Sequence, residues 1–441
     1  MNLNHGTVPN ERKPCENGPV ETLSKRYRAR SSCVYDLASY VKFHHRTVRG
    51  NPMRSQDVAI VEVAEIRNEL KSGKTFYDLA GEVFSELMEK TGLRPTDIGG
   101  LSINMPLTES NPFLINVVCE AFGVSPTWVL LSAMGGCSTS GGLARAASAI
   151  RDGYCEIAVV MGADCPTTKP RFPQGGYKAE YEDPIGIQGP SGSFGLLMSR
   201  YIEQYEFIPE ALGKLAIAER EHALHNEKAL AKLRVPITME DYLDSRMISD
   251  PLRLFDCVMR CDGANAMLVM SSEKARKMGF KKFAHPVAYA ELSNYLGHLS
   301  QPDITETGFA DIGPLALKKA GMTPKDIRIF APYDDFTVAM LLQLEQIGFC
   351  ERGQGCRYIM ETDFSWKGDL PLNTSGGQIS AGQPGLAGSG VVMVEAVRQL
   401  LEQGGHCQVE NPRNAMVTGI GGIPYGRNWS VSSITLLEQG H

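Results

Sequence analysis

The feature that most constrains the fold of this chain is an internal repeat. The run at 91–98 (TGLRPTDI) returns at 320–327 (AGMTPKDI), 229 residues later. Each copy follows an amphipathic segment, turns through a Gly-x-x-Pro-x-Asp pattern and continues into an apolar stretch, which is typical of a helix end before a strand. Such a turn can recur by chance, but the matching flanks favour a duplicated α/β fold. We expect its active site where the two halves meet.

The alternation of short apolar strands with amphipathic helices begins near residue 57 and predicts an α/β sheet. We predict an irregular extension over residues 1–52, a first half over 53–283 and a second half over 284–441. Residues 165–255 interrupt the first half with Pro- and Gly-rich loops and charged helices, and we interpret them as an inserted loop domain. This insertion is expected to present a solvated helical face or to form a lid or a cofactor-binding loop domain.

One cysteine occupies a position that suits a nucleophile. Cys137 lies in the run GGCSTSGG at 135–142, directly before a segment of small residues that predicts a helix up to Ile150. The first turn of a helix presents unpaired N–H groups and a partial positive charge, which stabilise a thiolate and can hold an oxyanion. A buried cysteine that packs as a small apolar residue would give the same local pattern.

Composition excludes several classes of function. The net charge of -6 and the lack of long basic runs give no general attraction to nucleic acid or anionic membranes. The eleven scattered cysteines include no C-x-x-C pair and indicate free thiols, and the four-residue spacing of Cys257 and Cys261 lacks a second ligand pair for a metal. No apolar run approaches the length of a membrane span, so we expect a cytoplasmic protein without a bound metal.

Six short motifs occur in order along the chain. They are GGCSTSGG at 135–142, CDGANA at 261–266, YDDFT at 333–337, NTSGG at 373–377, GQPG at 382–385 and GIGG at 419–422. Together they resemble the thiolase superfamily, especially the sterol-carrier-type thiolases and their lipid-transfer-like homologues, over roughly residues 55–440. The resemblance implies two thiolase halves of βαβαβαββ type in a five-layered αβαβα sandwich, usually a dimer, that acts on coenzyme A thioesters and binds no permanent cofactor.

Several residue roles follow from this resemblance. Cys137 corresponds to the residue that becomes acylated, and its attack on a carbonyl would split the reaction into acylation and deacylation. Its backbone N–H and an N–H of the Gly421-Gly422 turn would hold the developing oxyanion. Asn373 is expected to hold a turn. The residues expected beside coenzyme A are Gly376, Gly377 and Ser380.

Three positions depart from the family pattern. Where sterol-carrier-type thiolases carry His, Cys and His to activate the thiol and move the α-proton, this chain has Tyr333, Asp335 and Gln383. A tyrosine at the first position resembles the thiolase-like aldolases that shorten steroid side chains as coenzyme A esters by a retro-aldol step. A phenol suits a general acid at neutral pH, because its ordinary pKa is about 10. Gln383 can donate a hydrogen bond to a thioester oxygen but cannot transfer a proton.

The remaining candidates are one acid and three histidines. Asp335 adds negative charge to such a site, so we expect it to turn away, to be protonated or to pair with a basic group of a partner. His298 falls near the place of an active-site tyrosine in the aldolase branch and is a candidate base, with an exposed loop position as the alternative. His222 and His225 lie on a charged helix of the insertion and are expected mainly on its solvated face.

Three functions are compatible with these residues. The first is a thiolase or acyltransferase that cleaves or forms a β-ketoacyl-CoA through acylated Cys137. The second is a retro-aldol lyase that acts on a β-hydroxyacyl-CoA through Tyr333 with His298. The third is a non-catalytic acyl-CoA or lipid carrier subunit, because three acid–base residues are replaced. The resemblance also implies a homodimer core and a small partner subunit with a zinc ribbon and an OB-fold.

Overall fold

Runs of β-branched and small apolar residues form a nine-stranded sheet in the computed structural model, with helices on its faces. The predicted extension over 1–52 lies outside the described residues. The predicted boundaries of the two halves stay predictions. The structure describes residues 57–169, 183–187, 189–296, 303–422 and 429–440.

The elements alternate as the sequence predicts. The strands are β1 (Val58–Glu65), β2 (Gly100–Asn104), β3 (Trp128–Ser132), β4 (Ile157–Asp164), β5 (Met247–Ser249), β6 (Leu252–Arg253), β7 (Gly263–Ser271), β8 (Phe283–Ser293), β9 (Ile329–Ala331), β10 (Asn414–Gly421) and β11 (Val431–Gly440). The helices are α1 (Phe76–Thr91), α2 (Leu114–Phe122), α3 (Ser138–Arg151), α4 (Gly189–Gln204), α5 (Pro209–Leu224), α6 (Met239–Asp244), α7 (Ser272–Lys277), α8 (Phe309–Ala320), α9 (Thr337–Ile347), α10 (Gly355–Glu361), α11 (Gly377–Ala381) and α12 (Gly388–Leu400).

The order of the strands in the sheet reflects the duplication. The sheet runs β3-β2-β4-β7-β1-β8-β11-β10-β9, so the second half repeats the order of the first from the opposite direction. In both halves the first strand lies innermost, the last strand pairs with it antiparallel, and the outer strands are parallel. In the sheet, the two halves join where β1 pairs antiparallel with β8, with Ile60 opposite Ala284. A parallel bridge between Phe330 and Leu372 occupies the place that β3 has in the first half.

The two copies of the repeated run adopt the same cap. Gly92 and Gly321 end α1 and α8 in the left-handed region, with φ of 68° and 69°, where glycine has no side chain to clash. A short 3-10 turn follows each glycine. In these turns the Asp97 carboxylate accepts the Arg94 N–H at 2.9 Å, and the Asp326 carboxylate accepts the Thr323 N–H at 2.8 Å. The matching caps, together with the strand order, confirm the predicted duplicated α/β fold.

The three largest apolar cores of the described residues lie between the layers of the fold. In the first half, α1 and α2 pack on one face of the strands through residues such as Ala59 and Val61. Their neighbours Val58 and Ile60 point to the other face, where α3 and α12 pack between the two halves. A third core joins the second half-sheet to α8, α9 and the insertion helices α4 and α5. The layers therefore follow the predicted αβαβα order.

The insertion is packed into the protein. Helix α5 buries nine of its residues against α10, α11 and α6, so the expectation of a solvated helical face is wrong for this helix. Phe194 of α4 stacks on Phe336 at 4.2 Å between ring centroids. The insertion thus reaches the loop that carries Tyr333. Among the described residues, no helix combines the length and apolar character that a membrane crossing requires.

Candidate active site

The Cys137 turn has the predicted position at the start of a helix. Gly135 takes a φ of 56°, the chain makes one 3-10 turn, and α3 begins at Ser138. The Ser138 hydroxyl accepts the Met134 N–H at 3.0 Å and closes the turn. The Cys137 N–H donates to the Met134 carbonyl at 3.1 Å, so the donor expected to hold an oxyanion already has a partner.

The Cys137 thiol is completely buried and stays protonated. Burial raises its pKa to about 12, although the Ser433 hydroxyl acts in the opposite direction, and the charge of Glu291 adds to the increase. Burial, the largest influence on this pKa, favours the neutral thiol, so the expected thiolate is not the state that this structure favours.

Tyr333 lies directly on the backbone of this turn. A Cβ atom added to Gly136 would lie 2.3 Å from Tyr333 Cζ and 2.2 Å from the Ile420 carbonyl oxygen, so only glycine leaves room for the ring. The Tyr333 N–H donates to Thr418 Oγ1 at 2.8 Å, and its carbonyl accepts from Gln343 Nε2 at 2.9 Å. Both ends of the residue are thus fixed beside Cys137.

The Tyr333 hydroxyl stays a phenol at neutral pH. Burial raises its pKa well above the ordinary value, and the negative charge of Asp334 acts in the same direction. A hydrogen bond from the Gln383 side chain opposes them without reversing the shift. A neutral phenol can donate a proton, and the Gln383 amide can then stabilise the phenolate that remains.

Gln383 is held by the segment that follows the insertion. Its N–H donates to the Met259 carbonyl at 2.9 Å, and its carbonyl accepts the Cys261 N–H at 2.9 Å. The same segment binds the other side of the site, where the Val258 N–H donates to the Asp335 carbonyl at 3.2 Å. Residues 257–261 therefore bring Gln383 to the Tyr333 loop.

Asp335 faces the interior of the protein. The residue is half-buried, and its Oδ1, which is shielded from solvent, has no hydrogen-bond partner among the described residues. Burial raises its pKa well above the ordinary value, and the charge of Asp334 adds to this effect. Of the three alternatives considered for Asp335, the protonated acid is the one that these contacts favour.

The glycine turn at 421–422 meets the cysteine turn. A Cβ atom on Gly135 would lie 2.9 Å from Gly421 Cα and 3.0 Å from the Gly422 nitrogen. Asn373 holds a different turn, at a φ of 42°, and its Nδ2 donates to the Pro332 carbonyl at 3.1 Å. The Asn373 side chain thus fixes the backbone just before Tyr333.

The residues expected beside coenzyme A lie inside the protein, against α5. A Cβ on Gly376 would lie 2.5 Å from Ala223 Cβ, and one on Gly377 would lie 2.2 Å from Asp334 Oδ2. Ser380 is buried and accepts from Arg220 Nε at 3.2 Å. A role for Gly376, Gly377 and Ser380 in binding coenzyme A stays a prediction.

The described histidines have partners other than the thiol. His222 is buried rather than solvated, because α5 packs inward at this position, and burial lowers its pKa to about 4. His225 is exposed and stacks on His406 at 3.8 Å, while His285 bonds the Val58 carbonyl at 2.8 Å. His298, the candidate base, lies outside the described residues.

Three polar residues that the sequence patterns did not indicate lie beside Cys137. The Tyr289 hydroxyl donates to the Glu291 carboxylate, which accepts two further bonds from Arg145 at 3.1 and 2.9 Å. A Cβ on Gly141, one turn after Cys137, would lie 3.4 Å from Tyr289 Oη. The alternation of Tyr289 and Glu291 on one face of β8 is a signal that could have revealed them.

The charge on this group is set by its hydrogen bonds. Burial favours the neutral acid, but the bonds from Arg145 and Tyr289 outweigh it and hold the pKa of Glu291 below its ordinary value. Burial and the bond to Glu291 raise the pKa of Tyr289. The pair is therefore a phenol bonded to a carboxylate. No cluster of three or more potential metal ligands occurs within the described ranges.

Comparison with known proteins gives consistent results. Residues 290–433 match the family model described as thiolase C-terminal domain-like. The 17-hydroxy-3-oxo-4-pregnene-20-carboxyl-CoA lyase of Mycobacterium tuberculosis is 30% identical over 79% of this chain and 92% of its own length. An acetyl-CoA acetyltransferase of Methanothermobacter thermautotrophicus is 27% identical over 83% and 97%. The solved Ltp2-ChsH2(DUF35) aldolase is 28% identical, with a TM-score of 0.73 over 87% of this chain and 97% of that one.

Proposed function

Because this chain belongs to the thiolase superfamily, in its branch of sterol-carrier-type thiolases, we propose that it is a carbon–carbon lyase that cleaves a β-hydroxyacyl-CoA ester by a retro-aldol step. The observation that carries the proposal is the neutral Tyr333 phenol, fixed against a neutral, buried Cys137. A thiolase needs a thiolate and a base that forms it. A retro-aldol step needs no thiolate, and its base acts on the β-hydroxyl of the substrate.

The proton transfers balance without an acyl-enzyme. The proton of the substrate's β-hydroxyl passes to Tyr289, while the proton of Tyr289 moves to the Glu291 carboxylate. The bond between the α- and β-carbons then breaks, and a ketone and the enolate of a shortened acyl-CoA form. Tyr333 donates its proton to the α-carbon of this enolate, and the Gln383 amide stabilises the phenolate that remains. Glu291 then releases its proton to solvent, and solvent returns one to Tyr333. General acid catalysis of this kind contributes about 10²- to 10⁴-fold.

The name of the mycobacterial relative supports a steroid ester as the first substrate to test. That relative is named as a lyase of a 17-hydroxy steroid carboxyl-CoA. A tertiary hydroxyl next to the cleaved bond cannot be oxidised to the ketone that a thiolase requires. Such an ester is therefore a substrate for a lyase and not for a thiolase.

The thiolase remains the second candidate. The complete GGCSTSGG turn is present, and the Gly421-Gly422 turn meets it as a thiolase site requires. The 27% identical acetyltransferase supports the same reaction. A carrier without catalysis is less well supported, because two relatives that match most of this chain are named as a lyase and an acetyltransferase.

We infer two kinds of partner. The solved Ltp2-ChsH2(DUF35) aldolase supports a DUF35 subunit as a partner of this chain. This subunit would have the role that the sequence resemblance gives to a small zinc-ribbon and OB-fold protein. A second copy would fit the outer edge of the sheet. There β3 pairs with β2 only, among the described strands, and Val129 is 45% exposed. An open, apolar edge strand of this kind is a template for pairing with another chain.

The test is whether cleavage depends on free coenzyme A. The full chain, co-expressed with a DUF35 subunit, is incubated with the tertiary β-hydroxyacyl-CoA and, separately, with a β-ketoacyl-CoA. We expect a ketone and a shortened acyl-CoA from the first ester without added coenzyme A, and no cleavage of the second. Thiolysis of the β-ketoacyl-CoA that requires free coenzyme A would contradict the proposal.

A further inference from the structure

A chain of buried polar side chains runs from the insertion to the Tyr333 hydroxyl. It begins at Glu219 on α5, continues through Asp334 and Gln378, and reaches Tyr333 through Gln383. The proton transfers of the proposed lyase use only the last two members. The function of the first three is therefore open.

Glu219 begins the chain in a fully buried position. Its Oε1 accepts from Asn373 Nδ2 at 2.8 Å, and its buried Oε2 accepts no hydrogen bond from the described residues, which leaves the neighbouring Asp334 carboxyl as the group to which it can donate a proton. Two carboxyl groups can form a hydrogen bond only if one of them carries a proton. Burial and the charge of Asp334 raise the pKa of Glu219 well above its ordinary value, which makes Glu219 the protonated member.

Asp334 is the ionised member at neutral pH. Its Oδ2 accepts the backbone N–H groups of Gln378 at 2.7 Å and Ile379 at 2.9 Å, and its Oδ1 accepts from Gln378 Nε2 at 3.4 Å. Burial raises the pKa of Asp334 to about 6, while these bonds and the bond from Glu219 act to lower it. A carboxylate at this position therefore orients the amide of Gln378.

The orientation of the Gln378 amide determines the orientation of the Gln383 amide. Because Gln378 Nε2 faces Asp334, its Oε1 faces Gln383 and accepts from Gln383 Nε2 at 3.3 Å. A Cβ on Gly388 would lie 2.3 Å from that oxygen, so the backbone of α12 closes the space around it. The Gln383 amide then reaches the Tyr333 hydroxyl. Each amide has one orientation that satisfies both of its neighbours.

We infer that Glu219 is a positioning residue, which donates its proton to a hydrogen bond with Asp334 and thereby fixes the amide chain that orients the Tyr333 hydroxyl. This inference rests on the proposed function, because it gives Tyr333 the proton transfer. The ionisable groups that face Glu219 are Asp334, with the protonated Asp335 beside it, and Arg220 on the same helix.

Two substitutions separate this role from simple packing. Glu219→Gln keeps an acceptor for Asn373 and a donor for Asp334, so it imitates the protonated acid, whereas Glu219→Leu keeps only the volume. We expect wild-type kcat for Glu219→Gln. For Glu219→Leu we expect kcat about 10- to 100-fold lower with little change in KM, as for loss of an outer partner of an active-site group. Equal impairment of both variants, or of neither, would overturn the inference.

The pH profile gives a second readout. Cleavage should decline as the pH falls through about 6, because protonated Asp334 no longer accepts the amides. The bond from Glu219 lowers the pKa of Asp334, so its loss in Glu219→Leu should move this acid limb to higher pH. Glu219→Gln should leave the limb in place. An unmoved limb in Glu219→Leu would count against the shared proton.

An infrared measurement needs no substrate and keeps the two proposals apart. At pH 7.5 the difference spectrum of wild type against Glu219→Gln should contain the carbonyl band of one protonated carboxylic acid. If the band is present but no ester is cleaved, the proposed function fails while the shared proton stands. If the band is absent, Glu219 is ionised and the inference is wrong. Melting curves of the variants check that each one folds.

Discussion

Replacing Tyr333 by Phe should lower the rate of β-hydroxyacyl-CoA cleavage about 10²- to 10⁴-fold, the range that a general acid contributes. The substitution removes one hydroxyl and keeps the ring that packs against Gly136. Gln383 retains its bond to Gln378, so the expected loss of stability is small, about 1 kcal/mol. The measurement is turnover of the coenzyme A ester under saturating conditions, together with a melting curve.

A matched control is available for this substitution. Tyr154 is 63% exposed and lies outside the site, so Tyr154→Phe should leave turnover and melting temperature unchanged. If Tyr333→Phe retained turnover close to that of Tyr154→Phe, the proton would have to come from another group, and the assignment of Tyr333 would be wrong.

The substitution Gly136→Ala should remove both stability and activity. Its Cβ would lie 2.2 Å from the Ile420 carbonyl oxygen and 2.3 Å from Tyr333 Cζ, and the backbone oxygen cannot rotate away. Overpacking of a rigid core typically costs about 1–3 kcal/mol, and we expect the upper end or more here. Tyr333 would also be displaced from Cys137. Chemical denaturation measures the first effect and turnover measures the second.

Gly81 on α1 provides the comparison for this variant. A Cβ there would lie 3.7 Å from the nearest atom, in Phe122, which is ordinary contact. Because alanine is favoured over glycine within a helix by about 0.5–1 kcal/mol, Gly81→Ala should be neutral or stabilising. A Gly136→Ala protein with wild-type stability and turnover would show that the ring does not lie on the turn.

The duplicated fold could be predicted from the sequence because its signal is local. The cap at Gly92 and the cap at Gly321 depend on a few adjacent residues, and each encodes the same φ and the same turn wherever it occurs. The replacement of the usual acid–base residues by Tyr333 and Gln383 could also be predicted, because each residue is identified by its position within a short motif.

The electrostatic state of the site could not be predicted in this way. The Cys137 turn indicated a stabilised thiolate, but its pKa depends on burial by β10 and β11, which are about 300 residues away in the sequence. The charged pattern of α5 indicated a solvated face, but Glu219 and His222 are buried against partners from 334 to 373. Charged residues that pair across the fold look like surface residues in a linear sequence.

The choice between lyase and thiolase depends most directly on one comparison. Wild type, Cys137→Ser and Tyr333→Phe are incubated with the tertiary β-hydroxyacyl-CoA, and turnover and intact mass are recorded for each. A lyase should give no acyl adduct on any chain, retained turnover in Cys137→Ser and lost turnover in Tyr333→Phe. An acyl-sized mass increase on the wild type that disappears, together with turnover, in Cys137→Ser would contradict the retro-aldol reaction and establish the acyl-cysteine.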